Sequence, residues 1–261
     1  MNLWVWFEHQ NQTKIGCLKG QQIRLCDTND DHPFDTPPLT DQTASLDKVT
    51  LLTPCIPSKM IALWNNYAAL ADANELPYPK TPLYLFKPAN TYAGTGAVIR
   101  HPKFYNGEVF YEGELGIVIG KVACDLEDPQ AGNDAIFGYT CINDVTAFGL
   151  LKEYAGFDQW SRAKGFDGFG IFGPAIATQL DWQDLEIITR VNGNEVQHYP
   201  AKDMIFNPPE IVTALSRNMT LYPGDIICCG TSIGLGPMPV GCTVEVEIAG
   251  IGCLINNFME L

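Results

Sequence analysis

Two glutamates one residue apart, Glu112 and Glu114 in VFYEGELGIVIGK, are the side chains of this sequence best spaced for chemistry. Side chains alternate along a strand, so residues i and i+2 project from one face about 6–7 Å apart. Val118 shares that face, while Leu115, Ile117 and Ile119 share the other, so a strand over Val109–Gly120 is expected to be covered on both sides. Two adjacent carboxylates there repel each other and lose hydration unless a cation or protons compensate. A third acid, Asp144, follows Asn143 at the end of the apolar run Phe137–Ile142, and a strand end can converge on the same point. Three carboxylates form a hard-oxygen set suited to Mg²⁺ or Mn²⁺, with positions left for water and substrate. The same spacing also occurs on solvent-facing edge strands. Glu245 and Glu247, alternating with valines near the C-terminus, read that way. Spacing alone does not choose between the two pairs.

Short apolar strands with dense Gly and Pro punctuation are the elements that must hold these groups. From about Leu51 the sequence predicts Met60–Trp64, Leu83–Lys87, Val109–Gly120, Phe137–Asn143, Ile171–Thr178, Leu185–Val191, Ile226–Gly230 and Thr243–Ile248. Asn192-Gly193-Asn194 signals a hairpin, because Asn and Gly tolerate positive φ. Helical spacing is rarer: Pro208–Asn218 carries Ile211, Val212 and Leu215 on one face, and Tyr67–Glu75 and Leu126–Ile136 are shorter candidates. Ahead of these, strands over Leu3–Phe7 and Gln22–Cys26 are parted by Ile15–Gly20, and Asp27–Ser45 reads as a long connection. Residues 1–50 are therefore expected to be a small N-terminal lobe or arm, and 51–261 the main domain. With no βαβ alternation or repeat, the class is α+β, mainly β, of barrel, roll or sandwich type.

Composition narrows the function classes. At 261 residues, 46% hydrophobic and 18% charged, the chain is an ordinary globular size and composition. Its formal charge of −14 argues against nucleic acid or an anionic membrane as partner. No apolar run approaches the ~20 residues of a membrane span, and the N-terminus lacks a basic leader. The nine cysteines are scattered without a CxxC, as in buried thiols of a reducing compartment, so a cytoplasmic location is expected. Cys228 and Cys229 should point to opposite strand faces. His9, His32, His101 and His198 lack zinc spacing, and no phosphate-binding glycine motif occurs. Trp4, Trp6 and Phe7 read as packing residues, and Gly94–Gly96 as a turn.

The order of segments from about Pro57 to Phe258 resembles the fumarylacetoacetate hydrolase superfamily. The residues that carry the likeness are SKMIALWNNY, LYLFKP, a glycine-rich turn ending at Arg100-His101-Pro102, YEGELGIVIGK and GYTCINDVTA, then AKGFDGF and FGPAIAT. NGNEVQ, LYPGDIICCGTSIGLGP and VGCTVEVEIAGIG complete it. Together they span about four-fifths of the chain. The resemblance implies that family's mixed β-roll or sandwich, a homodimer, and Mg²⁺ or Mn²⁺ on Glu112, Glu114 and Asp144. It also implies that Lys164 points at substrate oxygens and that Gly230 and Thr231 help hold a carboxylate, with Lys87 a further substrate contact. The implied substrate is a small oxo acid.

Four positions depart from the hydrolytic members. Their His/Glu dyad, which activates water on a lid helix, is replaced by Leu70 and Ala73, with Glu75 nearby. Their Arg and Gln after the metal-binding Asp are replaced by Phe148 and Leu151. The distal end of the substrate is then less anionic, or is held elsewhere, for instance by Lys87 or Arg162. Losing a general base typically costs 10²–10⁴-fold in rate. Decarboxylation needs that base less, since departing CO₂ leaves the electrons behind, and tautomerisation needs no strongly activated water. The departures resemble the decarboxylase/isomerase branch, which handles oxo-diene-dioates from aromatic catabolism. The expected reaction is decarboxylation or keto–enol isomerisation of a 2-oxo or enol acid through a metal-stabilised enolate. The alternatives are C–C hydrolysis of a fumarylacetoacetate- or acylpyruvate-type diketo acid, and a silent protein that binds metal and oxo acid.

Overall fold

The computed structural model describes residues 1–27 and 33–260, so His32 and part of the expected Asp27–Ser45 connection lie outside the described residues. The chain is mainly β. Its largest sheet has twelve strands, whose main path runs Leu39–Ser45, Gln22–Cys26, Gln12–Lys19, Asn2–His9, Gly170–Thr178, Ile136–Asp144, Gly113–Ile119, Ile226–Cys228, Met60–Trp64 and Leu83–Lys87. Neighbours on this path are antiparallel except Ile226–Cys228 with Met60–Trp64, which run parallel. A second sheet of five strands orders Asn194–Pro200, Glu186–Val191, Thr243–Ile248, Gly252–Met259 and Val98–Arg100.

Alternation along Gly113–Ile119 explains why the main sheet is covered on both faces. Leu115, Ile117 and Ile119 enter the main core with Ile187, Val244, Val246 and Ile248 of the second sheet. Val118 enters a second cluster with Trp4, Met60, Ile142, Ile176 and Ile226 on the opposite face. Cys229 and Cys228 divide between the same two clusters, as neighbouring strand residues must. All nine cysteines are free. Among the described residues no helix is long and apolar enough to cross a membrane.

The hairpin turns through Asn192 and Gly193 with φ of 51° and 77°, and Val191 pairs with Asn194 across it. The helix Pro208–Ser216 starts with a capping box between Asn207 and Glu210, and its Ile211, Val212 and Leu215 are buried. The helix near the first segment is Ala68–Ala73, and the weak candidate after Leu126 is Pro129–Ala135.

Three expectations about elements require correction. Gln12–Lys19 is a strand, not a break, because Gly16 lies where any Cβ would meet Ile23 Cγ2 at 2.4 Å and so allows close pairing. Leu39–Ser45 is also a strand rather than connection, since pairing to Gln22–Cys26 satisfies its backbone despite a polar sequence. Val109–Gly120 is two strands: Val109–Tyr111 joins a three-stranded sheet with Thr146–Ala147 and Gly236–Pro237, while Gly113–Ile119 joins the main sheet. The break falls on Glu112.

Candidate active site

That break builds the site. Where the chain leaves one sheet for the other, the Glu112 carbonyl accepts from the Asp144 N–H at 2.9 Å, and the Glu112 N–H donates to Asn143 Oδ1 at 3.2 Å. Glu112, Glu114 and Asp144 each offer a carboxylate oxygen, and these oxygens lie within 4.8 Å of one another. Glu114 and Asp144 are fully buried and Glu112 is partly so.

Gly113, between the two glutamates, is held from several directions. Its N–H donates to Gln197 Oε1 at 3.0 Å, and its carbonyl accepts from the Thr231 hydroxyl at 3.1 Å and from the Tyr199 hydroxyl. A Cβ here would sit 2.0 Å from Thr189 Oγ1. Gly113→Ala is therefore expected to lower stability by about 1–3 kcal/mol through overpacking. Thr189→Ala should restore most of that loss, because the Thr189 hydroxyl is buried without a partner among the described residues. Equal urea midpoints for Gly113→Ala and the parent protein would refute this account of the glycine.

Two lysines meet the acids. Lys164, at the end of the short helix Trp160–Ala163, donates to Asp144 Oδ2 at 2.5 Å and to Glu112 Oε1 at 3.0 Å. Lys87 ends the Leu83–Lys87 strand and donates to Asp144 Oδ1, with its side chain wholly buried. Gly170 makes room for it, since a Cβ there would come within 3.2 Å of Lys87 Cε. Thr146, which begins the next short strand after Asp144, donates to Glu112 Oε1. Gly230, at φ 90°, turns its N–H onto Glu114 Oε2 at 2.8 Å. The other oxygen of Glu114, Oε1, is buried and has no partner among the described residues.

Burial, then the negative charges of Asp144 and Glu112, pushes the Glu114 carboxyl well above the usual range. Burial also raises Glu112, against the opposing pull of Lys164. It acts in the same sense on Asp144, but the Lys164 and Lys87 ammonium groups outweigh it and hold that carboxyl below its ordinary value. Burial dominates at Lys87, which falls below the usual lysine value despite Asp144. At Lys164 burial is overcome by Asp144, Glu112 and Glu114, which together raise it.

A cavity of about 480 Å³ opens above this cluster, with Glu112, Lys164 and Thr231 among its lining residues. The structure brings Glu112, Glu114, Asp144 and Lys164 together and sets Thr231 in the cavity wall. Gly230 is buried and its N–H is committed to Glu114. Lys87 stands behind Asp144 as its buried counter-ion and is not among the residues lining the cavity. Arg162 pairs with Glu153, and Glu75 is exposed. Glu247 pairs with Arg190 on the second sheet, and the edge-strand expectation for Glu245 and Glu247 is corrected: Thr243–Ile248 is the central strand of that sheet, with both glutamates on its partly exposed face. His101 binds the carbonyls of Pro102 and Gly107 through its ring nitrogens and stacks on Tyr105, a structural use. Thr146, Gln197 and Tyr199 were not singled out by sequence.

An acidic triad with an orphaned buried oxygen and a cavity beside it fits a divalent cation that prefers oxygen ligands. Glu112, Glu114 and Asp144 are thus a candidate divalent-metal centre in a mainly β fold. Residues 59–259 match the fumarylacetoacetate (FAA) hydrolase C-terminal family, and residues 3–54 match the Rv2993c-like N-terminal family. The chain belongs to the fumarylacetoacetate hydrolase family. It is 35% identical over 227 residues to oxaloacetate tautomerase YisK of Bacillus subtilis, covering 82% of this chain and 74% of that relative. The solved 2-hydroxyhepta-2,4-diene-1,7-dioate isomerase of Mycobacterium marinum superposes with a TM-score of 0.88 at 36% identity, covering 100% of this chain and 99% of that one. Maleylpyruvate hydrolase of Sphingobium sp. SYK-6, solved with manganese(II) and pyruvate, superposes with a TM-score of 0.80 at 26% identity, over 100% and 99% of the two chains.

Proposed function

We propose that this chain is a Mg²⁺- or Mn²⁺-dependent enzyme of a small 2-oxo or enol acid, catalysing decarboxylation or keto–enol isomerisation. The observation that carries the reading is the Glu112/Glu114/Asp144 cluster, with its unpartnered Glu114 oxygen, beneath a cavity that Lys164 also lines. Those three carboxylates would hold the cation, which when bound supplies Lewis-acid stabilisation of developing enolate charge. The Lys164 ammonium adds positive charge from the cavity floor, oriented by its bonds to Asp144 and Glu112. Thr231 offers a hydroxyl on the same wall, fixed by its contacts with Gln197 and Gly113. Buttressing by Thr146, Tyr199 and Gln197 keeps these groups in register before substrate arrives.

Leu70 lines the cavity and Ala73 is exposed, so the two positions that serve the water-activating dyad in hydrolytic relatives offer no acid or base here. That favours reactions in which no water attacks carbon. The names of the Bacillus subtilis tautomerase and the Mycobacterium marinum isomerase support the same branch. Nine free thiols and the acidic composition suit a reducing cytoplasm, which is part of the proposal.

Purified protein assayed with Mg²⁺ or Mn²⁺ on oxaloacetate, an acylpyruvate and an oxo-hexene-dioate tests the reading, with CO₂ release and enol absorbance followed separately. Metal-dependent enol loss without CO₂ would make it an isomerase, and stoichiometric CO₂ a decarboxylase. Acylpyruvate cleavage would instead establish the hydrolase alternative. Metal and acid bound without turnover would overturn the catalytic reading in favour of a silent binding protein.

A further inference from the structure

Resting on the metal–enol reading, we propose that the substrate carries an uncharged hydrocarbon group, aryl or branched alkyl, at its distal end rather than a second carboxylate. The inference comes from the cavity's chemistry above the catalytic floor. Its lining includes Trp64, Leu70, Phe148, Leu151 and Trp160, with Asn65 and Asn74 as uncharged polar groups. Trp64 and Trp160 face each other with ring centroids 6.0 Å apart, and Phe148 is stacked on Phe110 at 4.6 Å, so the aromatic surfaces are braced in place.

Cations available to a distal carboxylate are accounted for one by one. Lys164 is bound to Asp144 and Glu112 at the floor. Lys152, the other cation lining the cavity, spans both oxygens of Asp158 at 2.7 and 2.8 Å. Arg162 is engaged by Glu153 and lines a different cavity. Lys87 is sealed behind Asp144. A carboxylate moved among these apolar side chains would lose hydration and meet only cations already paired with carboxylates among the described lining residues, whereas a hydrocarbon would gain from leaving water. A discrimination of roughly 30-fold or more in favour of the apolar group is the expected scale for such a difference.

Oxaloacetate and phenylpyruvate are matched probes, both pyruvate substituted at C3, one by carboxylate and one by phenyl. Each interconverts between enol and keto forms that absorb differently. With Mn²⁺ present, kcat/KM for enol consumption and Kd by calorimetry should both favour phenylpyruvate by ~30-fold or more. Phe148→Arg, at the half-exposed cavity mouth, should shrink or reverse that preference by adding a free cation. Oxaloacetate preferred in rate and affinity would overturn the inference while leaving the enol-acid reading in place. Ordered binding with turnover of neither acid would support the cavity's selectivity and overturn the enzyme reading. Failure to bind either acid would overturn both.

Discussion

Asp144→Asn is expected to destabilise the fold by about 3–5 kcal/mol, the range for breaking a buried ion pair by removing one partner. Asp144 is the shared acceptor for two buried ammonium groups, and the Lys87 side chain has no solvent exposure to fall back on. The neutral amide can still accept a hydrogen bond through its oxygen but no longer carries the charge that offsets Lys87, whose other contact is the Val145 carbonyl at 3.4 Å. Deprotonation of Lys87, already favoured by burial, limits the loss but does not cancel it. Adding Lys87→Met should recover most of the stability, since a well-packed apolar chain replaces the stranded charge. Metal binding and turnover should stay lost in the double variant, because the triad lacks one carboxylate. Urea unfolding with Mn²⁺ titration of the parent, the single and the double variant separates the two effects. An unchanged urea midpoint in Asp144→Asn, or no rescue by Lys87→Met, would rule out the counter-ion role.

Lys164→Met is expected to lower kcat by about 10²–10³-fold, the usual scale for removing one positioned stabiliser of developing charge. This lysine touches the same aspartate as Lys87, yet it also lines the cavity, and that difference in placement divides their roles. Mn²⁺ affinity should be kept or strengthened, because a competing cation leaves Glu112 and Asp144 while all three carboxylates remain. Asp144 retains Lys87, so the fold should survive better than in Asp144→Asn. Calorimetric Mn²⁺ titration alongside initial rates of enol loss checks both halves. Full activity in Lys164→Met would remove this residue from the chemistry, and loss of metal binding would make it a structural support only.

Local pattern made part of the site legible. The i, i+2 spacing of Glu112 and Glu114 and the strand-end position of Asp144 were legible from the two-residue period of strands, and the acids still converge although the strand breaks at Glu112. The hairpin at Asn192-Gly193 was legible for a similar reason, since positive φ is a property of the residues themselves. The capped helix Pro208–Ser216 likewise carries its start signal within four residues. Order of segments along the chain, rather than any one of them, carried the family resemblance.

Tertiary structure alone decided the rest. Whether Val109–Gly120 continues or breaks at Glu112 depends on which sheet each half joins, and those partners come from Thr146–Ala147, Gly236–Pro237 and Ile136–Asp144. Lys87 had the right charge for a substrate contact. Its place behind Asp144 depends on the pairing of remote segments, and Gly170, opposite Asp144 in the register, leaves space that a Cβ would take from Thr91, Met60 and Lys87. Gln197 and Tyr199 reach Gly113 across more than eighty residues, and their own segment carries no sign of the contact. Residue type and alternation determined which acids could share a face. Pairing between remote segments determined that they meet, which lysine guards them and which one looks into the cavity, because such contacts are fixed by chain closure and packing rather than by local period.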